Sequence, residues 1–336
     1  MSRFARKTVF LCLLLFLLIV FSLCIGRYPL TPAEITAILT GNPPSAMAQT
    51  VLLSVRIPRI LLVVVSGGAL SLAGLVFQSL FQNPLASPDV LGVSSGCSVG
   101  AALAILAGGN GLAMQLAPFS AGLLTVLLTA ALARLMRGNR LFNLLIAGVV
   151  VSSLASAAIM TMKTVADPNR QLPAIDFWMM GGFHNAGWEQ VTVLLPLIAA
   201  PSLLLILLRW RLKILTLGEE EARALGVRTG LVRGLAVMAA TLLVSTVVSA
   251  AGVVSWIGLI APHAIRLYAG EDSAKTLPLS MVGGGILLLF ADTLSRSLFP
   301  SELPVSILTS AIGAVFLVVL LSCRGQQGIL PAKGDG

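Results

Sequence analysis

Charge is scarce in this chain: Asp, Glu, Lys and Arg make up 10% of its 336 residues, against 57% hydrophobic ones. A water-soluble domain carries about one charged residue in four, so a soluble globular fold is excluded. Aromatic residues are sparse too, at 6%, which removes the girdles that an outer-membrane barrel of alternating strands requires. Histidine occurs twice, as His184 and His263, and each reads as a packing or interface residue. Ser/His/Asp, Cys/His and HExxH arrangements are missing, so enzymatic chemistry within the chain is not expected. The four cysteines Cys12, Cys24, Cys97 and Cys323 are scattered, without a CxxC pair, which argues against metal ligation and a disulfide framework. No GxxxxGK[ST] loop occurs, so the chain by itself has no Walker-type site for ATP.

Long apolar runs, by contrast, recur from end to end. Runs near the ~20 residues that span a bilayer as a helix occupy approximately 9–25, 60–81, 90–106, 113–135, 141–162, 191–208, 231–251, 253–268, 277–295 and 304–321. The expected fold is an all-α membrane protein of ten transmembrane helices in one domain, 1–336. Abundant Gly and Ala suit helices packed closely in lipid. The first run follows Arg3, Arg6 and Lys7 as a signal peptide would, but no Ala-x-Ala site follows it and Leu23 before Cys24 fits a lipoprotein site poorly. It reads as an uncleaved span.

The net charge of +9 follows the positive-inside bias and is not read as a nucleic-acid signal. With the N-terminus inside, only Arg27, Arg56, Arg59, Lys163, Arg170 and Arg296 of the 22 Lys and Arg fall outside. The other sixteen, from Arg3 to Lys333 and including Arg140 and Arg324, fall inside. Both termini are therefore expected in the cytoplasm.

Three features interrupt the apolar pattern. On the inner side, Gln82-Asn-Pro-Leu-Ala-Ser-Pro-Asp89 separates two runs, with Ser87 able to cap a helix, Pro88 in its first turn and Asp89 favoured by the dipole. The run behind it is short and carries the Gly96–Gly100 spacing that permits close helix contact. Also inside, Gly218 or Thr216 can open a short helix, with Glu219, Glu220 and Glu221 at its positive end. Ala222, Arg223, Ala224 and Leu225 continue it, and Gly226 can close it in the left-handed conformation. A helix this short is marginal alone; it is either a solvated loop helix against headgroups or a docking element for a partner. Outside, Arg56, Arg59 and Arg296 are either snorkelling anchors or basic contacts for acids on an external partner. Pro58 marks a first helical turn beside Arg59, and Asp292 stands four residues before Arg296. The piece 177–182 reads as a short interfacial helix.

These segments resemble, in order and over nearly the whole chain, the FecCD family of permeases. The resemblance is carried by Val55-Arg-Ile-Pro-Arg59, Gly67-Gly-Ala-Leu-Ser-Leu-Ala-Gly74, Asn83-Pro-Leu-Ala-Ser-Pro-Asp-Val-Leu-Gly92, Leu145-Ile-Ala-Gly148, Phe177-Trp-Met-Met-Gly-Gly182, Leu217-Gly-Glu-Glu through Gly226, Gly258-Leu-Ile-Ala-Pro-His-Ala-Ile-Arg266 and Glu302-Leu-Pro304. It implies the type II ABC importer permease architecture in a bacterial inner membrane. The implied assembly is a homodimer with two cytoplasmic ATP-binding subunits, which hold the ATP and magnesium, and a periplasmic substrate-binding protein. By matching position it implies that Arg56, Arg59 and Arg296 meet acids on the binding protein. It likewise implies that Gly218–Gly226 is the coupling helix seated on the ATPase. The fifth span would line the path at the dimer axis, and Leu141, Phe142 and Asn143 would close its cytoplasmic side. The implied cargo is a metal chelate, most nearly a ferric siderophore, with cobalamin, haem and molybdate or tungstate as alternatives. The rival from another class is an ion-gradient-driven transporter, disfavoured because the spans hold almost no ionisable residues near the midplane.

Overall fold

The structure is a computed structural model describing residues 3–270, 272–298 and 301–325, with backbone only for Arg140, Leu321 and 323–325. Lys333, one of the expected inner charges, lies outside the described residues, as do the side chains of Arg140, Cys323 and Arg324. Regular structure among the described residues is entirely helical. In chain order the α-helices are α1 (Arg3–Cys24), α2 (Pro32–Leu39), α3 (Ala46–Thr50), α4 (Ile57–Leu80), α5 (Val93–Leu106), α6 (Leu112–Leu135) and α7 (Arg140–Val165). They continue as α8 (Gln171–Met180), α9 (Trp188–Leu215), α10 (Glu219–Ala224), α11 (Thr229–Ala251), α12 (Ile257–Ala269), α13 (Ser273–Ser295) and α14 (Val305–Gly325).

Among the described residues, seven helical stretches are long and apolar enough to cross a membrane: Arg3–Cys24, Ala46–Leu80, Leu112–Leu135, Leu141–Val165, Trp188–Leu215, Thr229–Ala251 and Ser273–Ser295. The other three expected spans correspond to α5, α12 and α14. With 14 and 13 residues, α5 and α12 rise only about 20 Å, short of a ~30 Å hydrocarbon layer. Short helices of this kind belong inside protein, and most of α5 and α12 is buried.

The second expected span begins much earlier than its apolar run. α3, a π-helical turn over Val51–Arg56 and α4 form one continuous rod. Pro58 lacks an N–H and crowds the turn before it; the wide turn ahead of it, in which Ile57 N–H reaches Leu52 O, makes the room. Arg59 consequently lies inside a helix and not in its first turn, where a cation would oppose the helix dipole. The stretch before this rod holds α2, opened by a capping box in which the Thr31 hydroxyl accepts the Glu34 N–H and the Glu34 carboxylate accepts the Thr31 N–H.

α4 is the central post, buried along nearly its whole length. Its glycines set how closely neighbours approach. A Cβ added to Gly67 would lie 2.3 Å from Gly284 O on α13, and one added to Gly74 would lie 1.7 Å from Gly258 O on α12. Both are impossible contacts, so backbone packs on backbone here. The Gly96–Gly100 expectation holds in the same way: added Cβ atoms would meet Thr125 Oγ1 at 2.0 Å and Ala117 O at 2.3 Å, both on α6. Buried hydroxyls add polar ties, as in Ser71 Oγ to Ser280 Oγ at 2.6 Å.

The segment 82–92 departs from the expected inner loop. Gln82 Nε2 donates to Thr216 O at 3.3 Å at the end of the bundle that carries α10. The chain then turns back inward. Ser87 Oγ accepts the Asp89 N–H at 3.2 Å as the expected cap, opening a 3-10 turn over Pro88–Leu91, and Gly92 enters α5 with φ +79°. Pro88 reaches Gly258, where an added Cβ would lie 2.4 Å from its Cγ. The segment thus enters the bundle from the α10 end and continues as α5 toward the opposite end, where Leu106 O accepts from Gln171 Nε2 of α8 at 3.2 Å.

Candidate functional site

Charge gathers at the two ends of the bundle, separated by the length of α9, whose 28 residues rise about 42 Å. At one end stand Arg56, Arg59 and Arg296, the three arginines singled out in the sequence. The structure brings them together and buries them, at 4%, 6% and 6% exposure. Arg59 donates to both oxygens of Asp292, through Nη2 at 2.9 Å and Nε at 3.1 and 3.3 Å, and through Nη1 to Glu302 Oε2 at 3.0 Å. Arg296 Nε lies 3.6 Å from Asp292 Oδ2, the expected i,i+4 pairing, while its Nη2 donates to Ser22 at the end of α1. Arg56 donates to the carbonyls of Leu23, Cys24 and Tyr28. Fully buried Asp292 thus serves two guanidiniums at once, and the network ties α1, α4 and α13.

Two members of this cluster were not foreseen as such. His184 Nδ1 stands 2.9 Å from Glu302 Oε2, so Glu302 bridges the α8–α9 turn to Arg59. The bond to His184, opposed by burial and aided by the Arg59 charge, holds the Glu302 carboxyl down at about 2. The only sequence signal was the placement of Glu302 within the Glu302-Leu-Pro304 motif.

At the other end, α10 forms as expected. Gly218 precedes it with φ +132°, and Gly226 follows with φ +78°. Val227 N–H returns to Ala222 O at 3.0 Å and Gly226 N–H to Arg223 O at 2.9 Å, closing the helix as the left-handed residue allows. The helix is not held from outside alone, as its shortness had suggested. Ala222 is fully buried in the main core, and Glu219 pairs with Arg223 at 2.5 Å and with Arg233 of α11 at 3.5 Å. Burial works against ionisation of Glu219, but the charges of Arg233 and Arg223 prevail and lower its pKa. Leu217 and Leu225 remain exposed, at 62% and 61%. Nearby, Lys213 Nζ meets Asp272 Oδ2 at 3.0 Å, joining α9 to the start of α13, and this bond lowers the Asp272 pKa.

The turn into α7 places its three residues differently from one another. Asn139 caps the helix, its Oδ1 accepting from Leu141 N at 2.9 Å and Phe142 N at 3.4 Å. Phe142 is exposed at 61%, Leu141 is half-buried, and Asn143 is buried with its Nδ2 donating to Met136 O at 3.0 Å. Phe142 is thus presented outward, Leu141 only in part, while Asn143 holds the turn. His263 is buried near Phe316, with ring centroids 6.2 Å apart, as the packing reading expected. Among the described residues no three His, Cys, Asp or Glu side chains group as metal ligands.

Comparison with known proteins bears on this arrangement. Residues 14–322 match the model of the FecCD transport family. The chain is 36% identical over 315 residues to the molybdate import system permease protein of Haemophilus influenzae, covering 93% of this chain and 94% of that one. It is 37% identical over 333 residues to the vitamin B12 import system permease protein of Klebsiella pneumoniae, covering 97% and 96%. A solved structure described as an inward-facing conformation of a metal-chelate type ABC transporter superposes with a TM-score of 0.85 at 36% identity, covering 95% of this chain and 99% of that one.

Proposed function

The chain belongs to the FecCD transport family, and on that premise we propose that it is the membrane-spanning subunit of an ATP-binding-cassette importer for a metal chelate, a ferric siderophore before cobalamin, haem, molybdate or tungstate. It works in the bacterial inner membrane as a homodimer of ten-span protomers, with both termini cytoplasmic. The observation that carries the reading is α10: a capped helix anchored by buried Ala222 on its own bundle, with Leu217 and Leu225 left facing outward among charges. That is the form a rigid coupling element needs. Two cytoplasmic ATP-binding subunits seat on it and hold the ATP and magnesium, while this chain contributes no covalent chemistry.

The binding protein docks at the opposite end, above the Arg59 cluster. Arg56, Arg59 and Arg296 act there chiefly by holding α1, α4 and α13 in register beneath the docking face, since burial keeps them from free contact. Direct pairing with acids of the binding protein requires Arg59 to exchange Asp292 or Glu302 for them. α7 lines the axial path, and Leu141 and Phe142 close it on the cytoplasmic side, with Asn143 fixing their turn. The similarity of the Asn83–Gly92 segment to ferric-siderophore members supports that cargo.

Replacing both exposed leucines, Leu217→Asp and Leu225→Asp, tests the coupling element without disturbing its buried side. The permease should insert and remain folded while the ATP-binding subunits no longer co-purify with it and uptake stops. Unchanged co-purification and uptake would remove α10 from the coupling role.

A further inference from the structure

The segment 82–92 carries an acid deep into the bundle. An added Cβ on Gly148 would lie 2.0 Å from Val90 O, and one on Gly92 would lie 2.8 Å from Ser152 Oγ. Those α7 positions are eight and twelve residues beyond Arg140, about 12–18 Å along the helix axis. Asp89, next to Val90, therefore stands near the middle of a ~30 Å hydrocarbon layer. Its Oδ1 accepts the Ser94 N–H at 3.2 Å. Among the described residues no Lys or Arg pairs with it.

Yet the Asp89 residue is exposed. On one side it borders a cleft of about 500 Å³ running along α7, whose polar lining is Ser152, Ser153 and Ser156. On the other it borders a half-open pocket of about 240 Å³ shared with Ser94 and Trp256. Trp256 holds φ +70°, a conformation that is costly for a bulky side chain and that clusters at functional positions. A carboxylate without a cation at this depth is expensive, and such groups face water-filled cavities and mark the routes of ions and substrates.

We propose that Asp89 is an acidic station in the translocation path, favouring cargo that presents positive charge or hydrogen-bond donors and repelling free oxyanions. The proposal rests on the reading of α7 as the path lining of a homodimer, in which two such carboxylates face one axis. A helix cap alone would also employ Asp89, since it receives the Ser94 N–H. Asparagine caps as well as aspartate, so Asp89→Asn keeps that role and removes only the charge.

The test uses full-length permease assembled with its ATP-binding subunits in membrane vesicles, with the four native cysteines replaced by alanine and Ser153→Cys introduced. Two thiosulfonate reagents, one bearing trimethylammonium and one sulfonate, stand for cationic and anionic cargo. The ratio of their reaction rates, cationic over anionic, should fall at least roughly threefold on adding Asp89→Asn, as expected for loss of a nearby charge in a poorly screened cleft. An unchanged ratio would overturn the station while leaving the importer reading intact. If Ser153→Cys reacts with neither reagent, α7 does not line the path, and the proposal falls together with that reading.

Discussion

Asp292 is the residue on which the outer end of the bundle turns. It has no exposed surface, and two arginines share its oxygens. Removing one partner of such a buried set leaves an uncompensated charge, at a cost of about 3–5 kcal/mol. Asp292→Ala should therefore lower the thermal unfolding midpoint of the detergent-purified protein far more than Leu225→Ala, a change on the exposed surface. Equal midpoints would show the cluster to be energetically idle. Burial also changes what charge reversal would do: Arg296→Glu would set a second carboxylate beside Asp292, so loss of binding-protein docking would come with loss of folding. Glu302 offers a gentler probe. Its pKa is depressed on folding, so its stabilisation is present above the ordinary 4.5 and disappears as pH falls toward about 2. The midpoint difference between the native chain and Glu302→Gln should shrink as pH falls below 4.5. A difference independent of pH down to 3 would contradict the His184–Glu302–Arg59 bridge. The sequence named the arginines correctly as a group, because they stood out on a side poor in cations. It could not show their burial, because Asp292 and Glu302 lie 233 and 243 positions from Arg59.

At the scale of elements, length and hydropathy located the helices well, and the errors fall where chain geometry overrides composition. The run at 60–81 hid a rod that starts at Ala46, since polar residues and Pro58 concealed a helix continued through a π-helical turn. Residues 82–89 read as a surface loop because they are polar and proline-rich. Their return into the bundle depends on Gly148 and Gly258, two glycines on distant helices that admit Val90 O and Pro88. Glycine spacing was the more trustworthy signal, as the α5–α6 contact shows. It also yields a contrast. Gly74→Ala drives a methyl into Gly258 O and should destabilise by about 1–3 kcal/mol or more, the range for forced overpacking. Gly234→Ala meets nothing within 4 Å and should be neutral or stabilising by up to about 1 kcal/mol. Unfolding midpoints of the two variants that coincide would mean that α4 and α12 are not in backbone contact.

For the whole molecule, among the described residues, seven long apolar helical stretches pack with short buried helices, the ion pairs lie at the two ends, and Asp89 is carried inward by the segment 82–92. The fold class was legible from composition alone, and the family from eight short motifs. The depth of Asp89 was not, and it matters for the rival mechanism, since an acid near the midplane is what an ion-coupled transporter also requires. Energy source therefore decides between the two. Purified permease should be reconstituted in proteoliposomes with its ATP-binding subunits and loaded binding protein, and cargo uptake followed under two conditions: ATP without an ion gradient, and a proton or sodium gradient without ATP. The account predicts uptake only with ATP, lost when Leu217 and Leu225 are both replaced by Asp. Uptake driven by the gradient alone, or undiminished in that double variant, would contradict it.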